Sequence, residues 1–243
     1  MNILGIIPAR KGSKALPGKC VRKLLGKPVI CYTIEAALAS KQIDRVVLTT
    51  DDGQAKEIGR GYGVMIIDRP EELADDTARI DDALRHCCSQ IEKRDGYKAD
   101  VVVLLYGNVP VRAEEIIDKA IEYLIKTEAD SVQTVAPVGK YHPYWMSKLE
   151  GDQLIKYIDN KMYRRQDLPK LYVIDGAVGV VKYETLMRAQ GNSDPYAFWG
   201  RDRRGLVQDV HETVDIDNLL DFYMAEAVLR VKDEQLKLTD SNE

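Results

Sequence analysis

The first apolar run, Asn2 to Pro8, is continuous rather than alternating and stops at a loop rich in glycine and lysine. A continuous run suits a strand buried on both faces, as in a parallel sheet. From Pro28 the period changes, with Ile30, Ile34, Ala37 and Leu38 recurring at helical spacing. Arg45 to Thr50 reads as a second buried strand, followed by Asp51-Asp52-Gly53 and a helix through Ala55 to Arg60. The strand signal returns at Val64 to Ile67 and at Ala99 to Leu105. The predicted class is α/β: a mostly parallel sheet covered by helices on both faces. On such sheets ligands sit beyond the carboxyl ends of the strands, so the loops after Pro8, Thr50 and Leu105 are the expected site walls.

Between Val138 and Leu171 the alternation breaks, which predicts an inserted arm at about residues 139–171 within a single domain spanning 1–243. Tyr141, Tyr144 and Trp145 at its root fit an interface better than a sugar platform. Strands are expected at Val173 to Val181 and Leu206 to Val210, then an amphipathic helix from Asn218 to about Val231 and a polar tail from Gln235 to Glu243.

At 243 residues, 45% hydrophobic and 30% charged, the chain can bury one α/β core. Its net charge of −4 argues against a long nucleic-acid footprint, which needs clustered excess Lys and Arg. The N-terminal apolar stretch is too short for a membrane span or a signal core, so a cytoplasmic protein without membrane partners is expected. Cys20, Cys31, Cys87 and Cys88 show no CxxC spacing, and reduced thiols are the simplest reading.

The first loop, Ala9 to Lys19, sets the cations Arg10, Lys11, Lys14 and Lys19 and two glycines between a strand end and a helix. That combination suits a polyphosphate, although an ordinary solvated loop has the same composition. It is not a Walker A loop, because five residues separate Gly12 from Gly18 and Cys20 follows Lys19. Near the other end of the chain lies Val214-Asp-Ile-Asp217. In extended backbone Asp215 and Asp217 point to the same side, and an oxygen-only pair favours Mg²⁺. Alternatively Asp217 caps the helix that begins at Asn218, as Asp51 is expected to cap the helix after it. His86, His142 and His211 are scattered, without a nucleophile in register.

Ile7-Pro-Ala-Arg-Lys-Gly-Ser-Lys14, Leu16-Pro-Gly-Lys19, Thr49-Thr-Asp51, Asp68-Arg-Pro-Glu-Glu-Leu-Ala74 and Val214-Asp-Ile-Asp217 run in order along the chain. Together they resemble the acylneuraminate cytidylyltransferase family. The resemblance implies a Rossmann-like nucleotidyltransferase that joins CMP from CTP to a sialic-acid-like nonulosonic acid and releases pyrophosphate with Mg²⁺. It implies that Arg10 and Lys19 contact the CTP phosphates and carry catalysis, with Ser13, Lys14 and Cys20 in the same nucleotide loop and Arg69 on the nucleoside. It also implies a homodimer in which Arg165 of the arm reaches a neighbour's sugar carboxylate, while Tyr106, Asn108 and Asp175 face the sugar.

Several positions depart from the family pattern. Cys20 stands where relatives carry Asn, and Leu105-Tyr-Gly-Asn-Val-Pro-Val-Arg112 replaces Leu-Gln-Pro-Thr-Ser-Pro-Leu-Arg. Asp175 replaces an Asn before Gly-Ala, and Ile80 falls where a small hydroxyl residue is usual. These changes point to a rebuilt acceptor pocket. A CMP-Kdo-type synthetase is the second reading, although its Gln-Gly-Asp metal block is missing from Leu105 to Arg112. A non-catalytic nucleotide-binding relative is the third.

Overall fold

The computed structural model describes residues 1–240. In chain order the first half comprises β1 (Ile3–Ala9), β2 (Lys23–Leu24), β3 (Lys27–Pro28), α1 (Val29–Ala39), β4 (Arg45–Thr50), α2 (Gly53–Gly61), β5 (Met65–Asp68), α3 (Ile80–Asp95), β6 (Val101–Leu104) and α4 (Ile116–Thr127). The second half comprises β7 (Ser131–Pro137), β8 (Ser147–Glu150), β9 (Gln153–Lys156), β10 (Tyr172–Lys182), α5 (Tyr183–Arg188), β11 (Arg203–Val207) and α6 (Leu219–Asp240).

Seven strands form one sheet in the order β11-β7-β10-β6-β1-β4-β5. The pairs β1/β4, β1/β6, β4/β5 and β7/β11 are parallel, and β10 alone runs against its neighbours β6 and β7. The continuous apolar runs have the cause expected of them. On β1, Ile3 and Ile7 pack with α1 and α4, while Leu4 and Ile6 pack with Leu84, Cys87 and Ile91 of α3 on the other face. On β6 the same alternation sends Val101 and Val103 one way and Val102 and Leu104 the other. A third cluster joins Leu16 and Leu24 of the first loop region to Val111, Val214, Ile216 and Phe222. It thereby fixes the long loop against the start of α6.

The expected α/β architecture is present, with corrections. The strand β7 did not stand out from the pattern, although Val132, Thr134 and Ala136 point one way into the interior. The helix α6 does not stop near Val231 but continues to Asp240, through a segment where Arg230 pairs with Glu226 and Lys237 with Asp233 at i,i+4 spacing. Residues 241–243 of the expected polar tail lie outside the described residues. The segment 139–171 contributes no strand to the seven-stranded sheet, and within it β8 and β9 form an exposed antiparallel hairpin.

Two features of β10 shape the site. Its register against β7 slips between Ile174 and Gly179, a bulge that turns Asp175, Gly176 and Ala177 toward the carboxyl edge of β1 and β6. Further along, Gly179 lies under Trp199, and a Cβ there would come within 2.4 Å of the indole Cη2. Since Trp199 is buried and rigid, Gly179→Ala is expected to cost about 1–3 kcal/mol of stability by overpacking. A denaturant midpoint equal to that of the parent would show that the ring moves aside freely.

Candidate functional site

The loops after β1, β5 and β6 meet the segment before α6 around a cavity of about 290 Å³, while the loop after β4, expected as a wall, stands behind it. Its walls include Arg10, Lys19, Cys20, Arg69, Tyr106, Asn108, Asp215 and Asp217, so eight residues singled out in the sequence share one space. The loop after β1 is held in place by Asp51, whose Oδ1 accepts the Lys11 N–H at 2.8 Å. Asp51 is therefore not the cap of α2. That role falls to Asp52, which accepts the N–H groups of Gln54 at 2.8 Å and Ala55 at 3.3 Å.

Cations and carboxylates alternate around the cavity. Arg10 Nη1 donates to Asp76 Oδ1 at 2.8 Å and to the Asp75 carbonyl at 2.9 Å, while Lys14 Nζ lies 2.6 Å from the other oxygen of Asp76. Lys19 Nζ donates to Asp217 Oδ1 at 2.9 Å. Arg69 is 8% exposed and is hydrogen bonded through Nε to the Leu73 carbonyl. Burial pushes its guanidinium down, and the nearby Asp51 carboxylate opposes that. A polyphosphate entering here would replace Asp76 at Arg10 and Lys14, an exchange of one oxyanion partner for another.

Asp215 and Asp217 flank Ile216, whose N–H donates to the Asn108 carbonyl at 3.0 Å and whose carbonyl accepts from Asn108 Nδ2 at 3.0 Å. The same amide donates to Asp215 Oδ1. Burial and then the charge of Asp217 push the Asp215 carboxyl up to about 6, against the pull of Lys19. A largely buried carboxylate held beside a second negative charge forms a site that favours added positive charge. Asp217 does not cap α6: Asn218 Oδ1 accepts from Leu220 N–H at 2.8 Å and Asp221 N–H at 3.1 Å, while Asp221 accepts the N–H groups of Asp217 and Asn218. The side chain of Asp217 is thus free for the cavity, and it is 71% exposed.

Four expected residues lie elsewhere. Ser13 and Lys14 stay on the loop outside the cavity wall, Lys14 reaching it only through Asp76. Arg165 lines a separate cavity at the root of the arm with His142, Pro169 and Tyr172. The Asp175 oxygens are taken up by Thr134 Oγ1 at 2.5 Å, Gln208 Nε2 at 2.6 Å and the Ala177 N–H at 3.0 Å. Cys20 is buried, and burial pushes its thiol up to about 12, so it is a neutral wall group.

Sequence reasoning missed Asp75, Asp76, Arg112 and a second chamber. Arg112 lies beneath the site, donating from Nε to the Ala177 carbonyl at 2.8 Å, from Nη2 to the Tyr106 carbonyl at 3.0 Å and from Nη1 to Thr33 Oγ1 at 3.0 Å and the Val109 carbonyl. The second chamber, of about 400 Å³, shares Ile80 and Tyr106 with the first. Leu104, Ile174, Val178, Phe198 and Trp199 make it largely apolar. Among the described residues no cluster of three or more His, Cys, Asp or Glu has metal-binding geometry, and no helix is long and apolar enough to cross a membrane.

A cytidylyltransferase family model matches residues 4–232. A CMP-N,N'-diacetyllegionaminic acid synthase of Legionella pneumophila is 30% identical over 242 residues, covering 97% of this chain and 100% of that protein. An N-acylneuraminate cytidylyltransferase of Streptococcus agalactiae is 35% identical over 204 residues, covering 82% of this chain but only 48% of its own length. Among solved structures, a CMP:2-keto-3-deoxy-manno-octonic acid synthetase complexed with CTP superposes with a TM-score of 0.71. At 16% identity, with 96% of this chain and 100% of that chain covered, it shows the shared fold.

Proposed function

This chain belongs to the cytidylyltransferase family, and from that premise we propose that it transfers CMP from CTP to the anomeric hydroxyl of an acidic nonulosonic sugar. The observation that carries the reading is the pair of adjoining chambers. One is polar and lined by Arg10, Lys19, Arg69 and the Asp215/Asp217 pair; the other is largely apolar and shares Tyr106 and Ile80 with the first. The first suits a nucleoside triphosphate, the second a sugar bearing acyl or deoxy substituents.

The anomeric oxygen attacks the α-phosphorus in line, its proton is lost, and the bond from that phosphorus to the bridging oxygen of pyrophosphate breaks. Arg10 and Lys19 neutralise the phosphoryl oxygens, and Arg69 holds the nucleoside. Mg²⁺ fits the donor set: Asp215 and Asp217 are oxygen-only ligands, and this ion commonly takes one or two carboxylates plus substrate phosphates. When bound it would neutralise phosphate charge and acidify the attacking hydroxyl. Asn108 holds Asp215 in place for that role.

Pyrophosphate release from CTP with a panel of neuraminic, legionaminic, pseudaminic, deaminated and eight-carbon ulosonic acids tests the reading. Turnover of the eight-carbon acid alone would favour a Kdo-type enzyme, and no turnover at all a non-catalytic nucleotide binder. Since CTP is the donor, we place the reaction in the cytoplasm, and the net charge leaves nucleic acid without a role.

We further propose a homodimer built on the arm. Leu149, Leu154, Tyr157 and Tyr163 are exposed on or just after the hairpin, an apolar surface that a second copy would cover, and Arg165 is absent from the walls of both chambers of its own chain. A bidentate guanidinium fits the sugar carboxylate of the neighbouring protomer. Sedimentation of the active enzyme as a monomer would sink this arrangement.

A further inference from the structure

The second chamber is roofed by the segment between α5 and β11, which contributes Pro195, Tyr196, Phe198 and Trp199. One end of this roof is secured by burial, since Phe198 and Trp199 are in the core and Ser131 Oγ donates to the Trp199 carbonyl at 2.6 Å. The other end is built from local turns. Asn192 N–H donates to the Ala189 carbonyl, Asp194 N–H to Asn192 Oδ1 and Tyr196 N–H to Asp194 Oδ1. From Gln190 to Phe198, the hydrogen bonds that reach more than three residues beyond the segment, among the described residues, all come from one side chain. Arg79 Nη1 donates to the Asn192 carbonyl at 2.6 Å, and Arg79 Nη2 to the Asp194 carbonyl at 3.2 Å.

Arg79 is itself fixed. It sits just before α3 and turns its Nε and Nη2 onto the two oxygens of Asp81, at 3.0 and 2.9 Å. Asp81 is 1% exposed and also accepts from Arg85, which in turn holds the Leu186 carbonyl in α5. Burial pushes the Asp81 carboxyl up, but the two arginines more than offset it, so it stays below the ordinary aspartate range. Ile80, the residue between the two, lines both chambers.

We propose that Arg79 is a positioning residue for the acceptor: it clasps the roof of the second chamber to the N-terminus of α3 and so holds Pro195 and Tyr196 over the sugar. The acceptor part rests on the proposed function, whereas the clasp stands on the hydrogen bonds alone. A fork is required, because one planar guanidinium meets a carboxylate and two carbonyls at once, and an ammonium cannot span all three.

Two measurements on the full chain test it. Amide hydrogen exchange of residues 190–197 in the ligand-free protein should quicken in Arg79→Ala and in Arg79→Lys, while exchange in β1, β6 and α6 stays as in the parent. In steady-state kinetics, both variants should raise the acceptor KM on the order of tenfold, the scale of one lost charge-assisted hydrogen bond, with the KM for CTP unchanged. The Lys variant keeps a cation beside Asp81 and guards against misfolding of the Ala variant. Unchanged exchange at 190–197 overturns the clasp. Equal increases in both KM values, or full rescue by Lys, overturn the acceptor-positioning role. A parent enzyme that turns over no acceptor refutes the proposed function and the acceptor part with it, while the exchange result still decides the clasp.

Discussion

Asp217→Asn is expected to lower kcat by about 10²–10³-fold, or ~3–4 kcal/mol of transition-state stabilisation, with the KM for CTP unchanged or lower. The split follows from what Asp217 touches. In the free protein its carboxylate is 71% exposed and pairs with Lys19, so removing its charge releases a cation for the triphosphate. If the carboxylate serves a metal in the transition state, the loss falls on kcat instead. The fold should not suffer: α6 is capped by Asn218 and Asp221, and the contribution of Asp217 to that cap is its main-chain N–H, which the variant retains. A melting temperature near that of the parent, measured alongside the rates, separates the two effects. Full activity in this variant would rule out the metal role and leave Asp217 as a counter-ion to Lys19.

The parts of the site legible in the sequence are those whose geometry is local. Asp215 and Asp217 share a side because extended backbone alternates, and Arg10 and Lys19 bracket a loop that begins at a strand end. Position within a turn was less legible. Asp51 and Asp52 are adjacent acids, and which of them caps α2 depends on where β4 ends, which its pairing of Thr50 with Asp68 decides. Asp51 is then left to hold Lys11, forty residues away. Likewise Asn218 takes the cap that is the alternative role for Asp217, because Asp221 sits where it can close a reciprocal box.

What could not be read depends on contacts between distant segments. Arg79 meets carbonyls more than a hundred residues away, and backbone carbonyls leave no mark on composition. Asp76 lies 66 residues from Arg10, in a stretch whose acids read equally well as a solvated loop. Asp175 shows the converse. A free carboxylate there would repel an acidic substrate, but Thr134 in β7 and Gln208 just after β11 take up its oxygens. The Asn-to-Asp departure is therefore compensated within the protein.

Arg112→Met should give the largest loss of stability, about 3 kcal/mol, because an apolar side chain leaves main-chain acceptors without their donor. Apolar replacement of a buried polar group is close to neutral only when both partners are replaced, and here the partners are carbonyls that no substitution removes. The single Thr33 hydroxyl proton can serve either the Tyr106 or the Val109 carbonyl, each 3.1 Å from Oγ1, which limits the cost, whereas the Ala177 carbonyl loses its bond from Nε. For a chain of this length the change corresponds to a fall in melting temperature of roughly 6–12 °C. Function should decline as well, since the same guanidinium joins the Tyr106–Val109 loop to the bulge of β10 and thus fixes the backbone of Tyr106, which lines both chambers. Arg112→Lys, able to serve only part of the acceptor set, should fall between Met and the parent in both melting temperature and acceptor KM. A Met variant that melts within two degrees of the parent, on the same scale, would mean that the loop and the bulge hold together without the arginine.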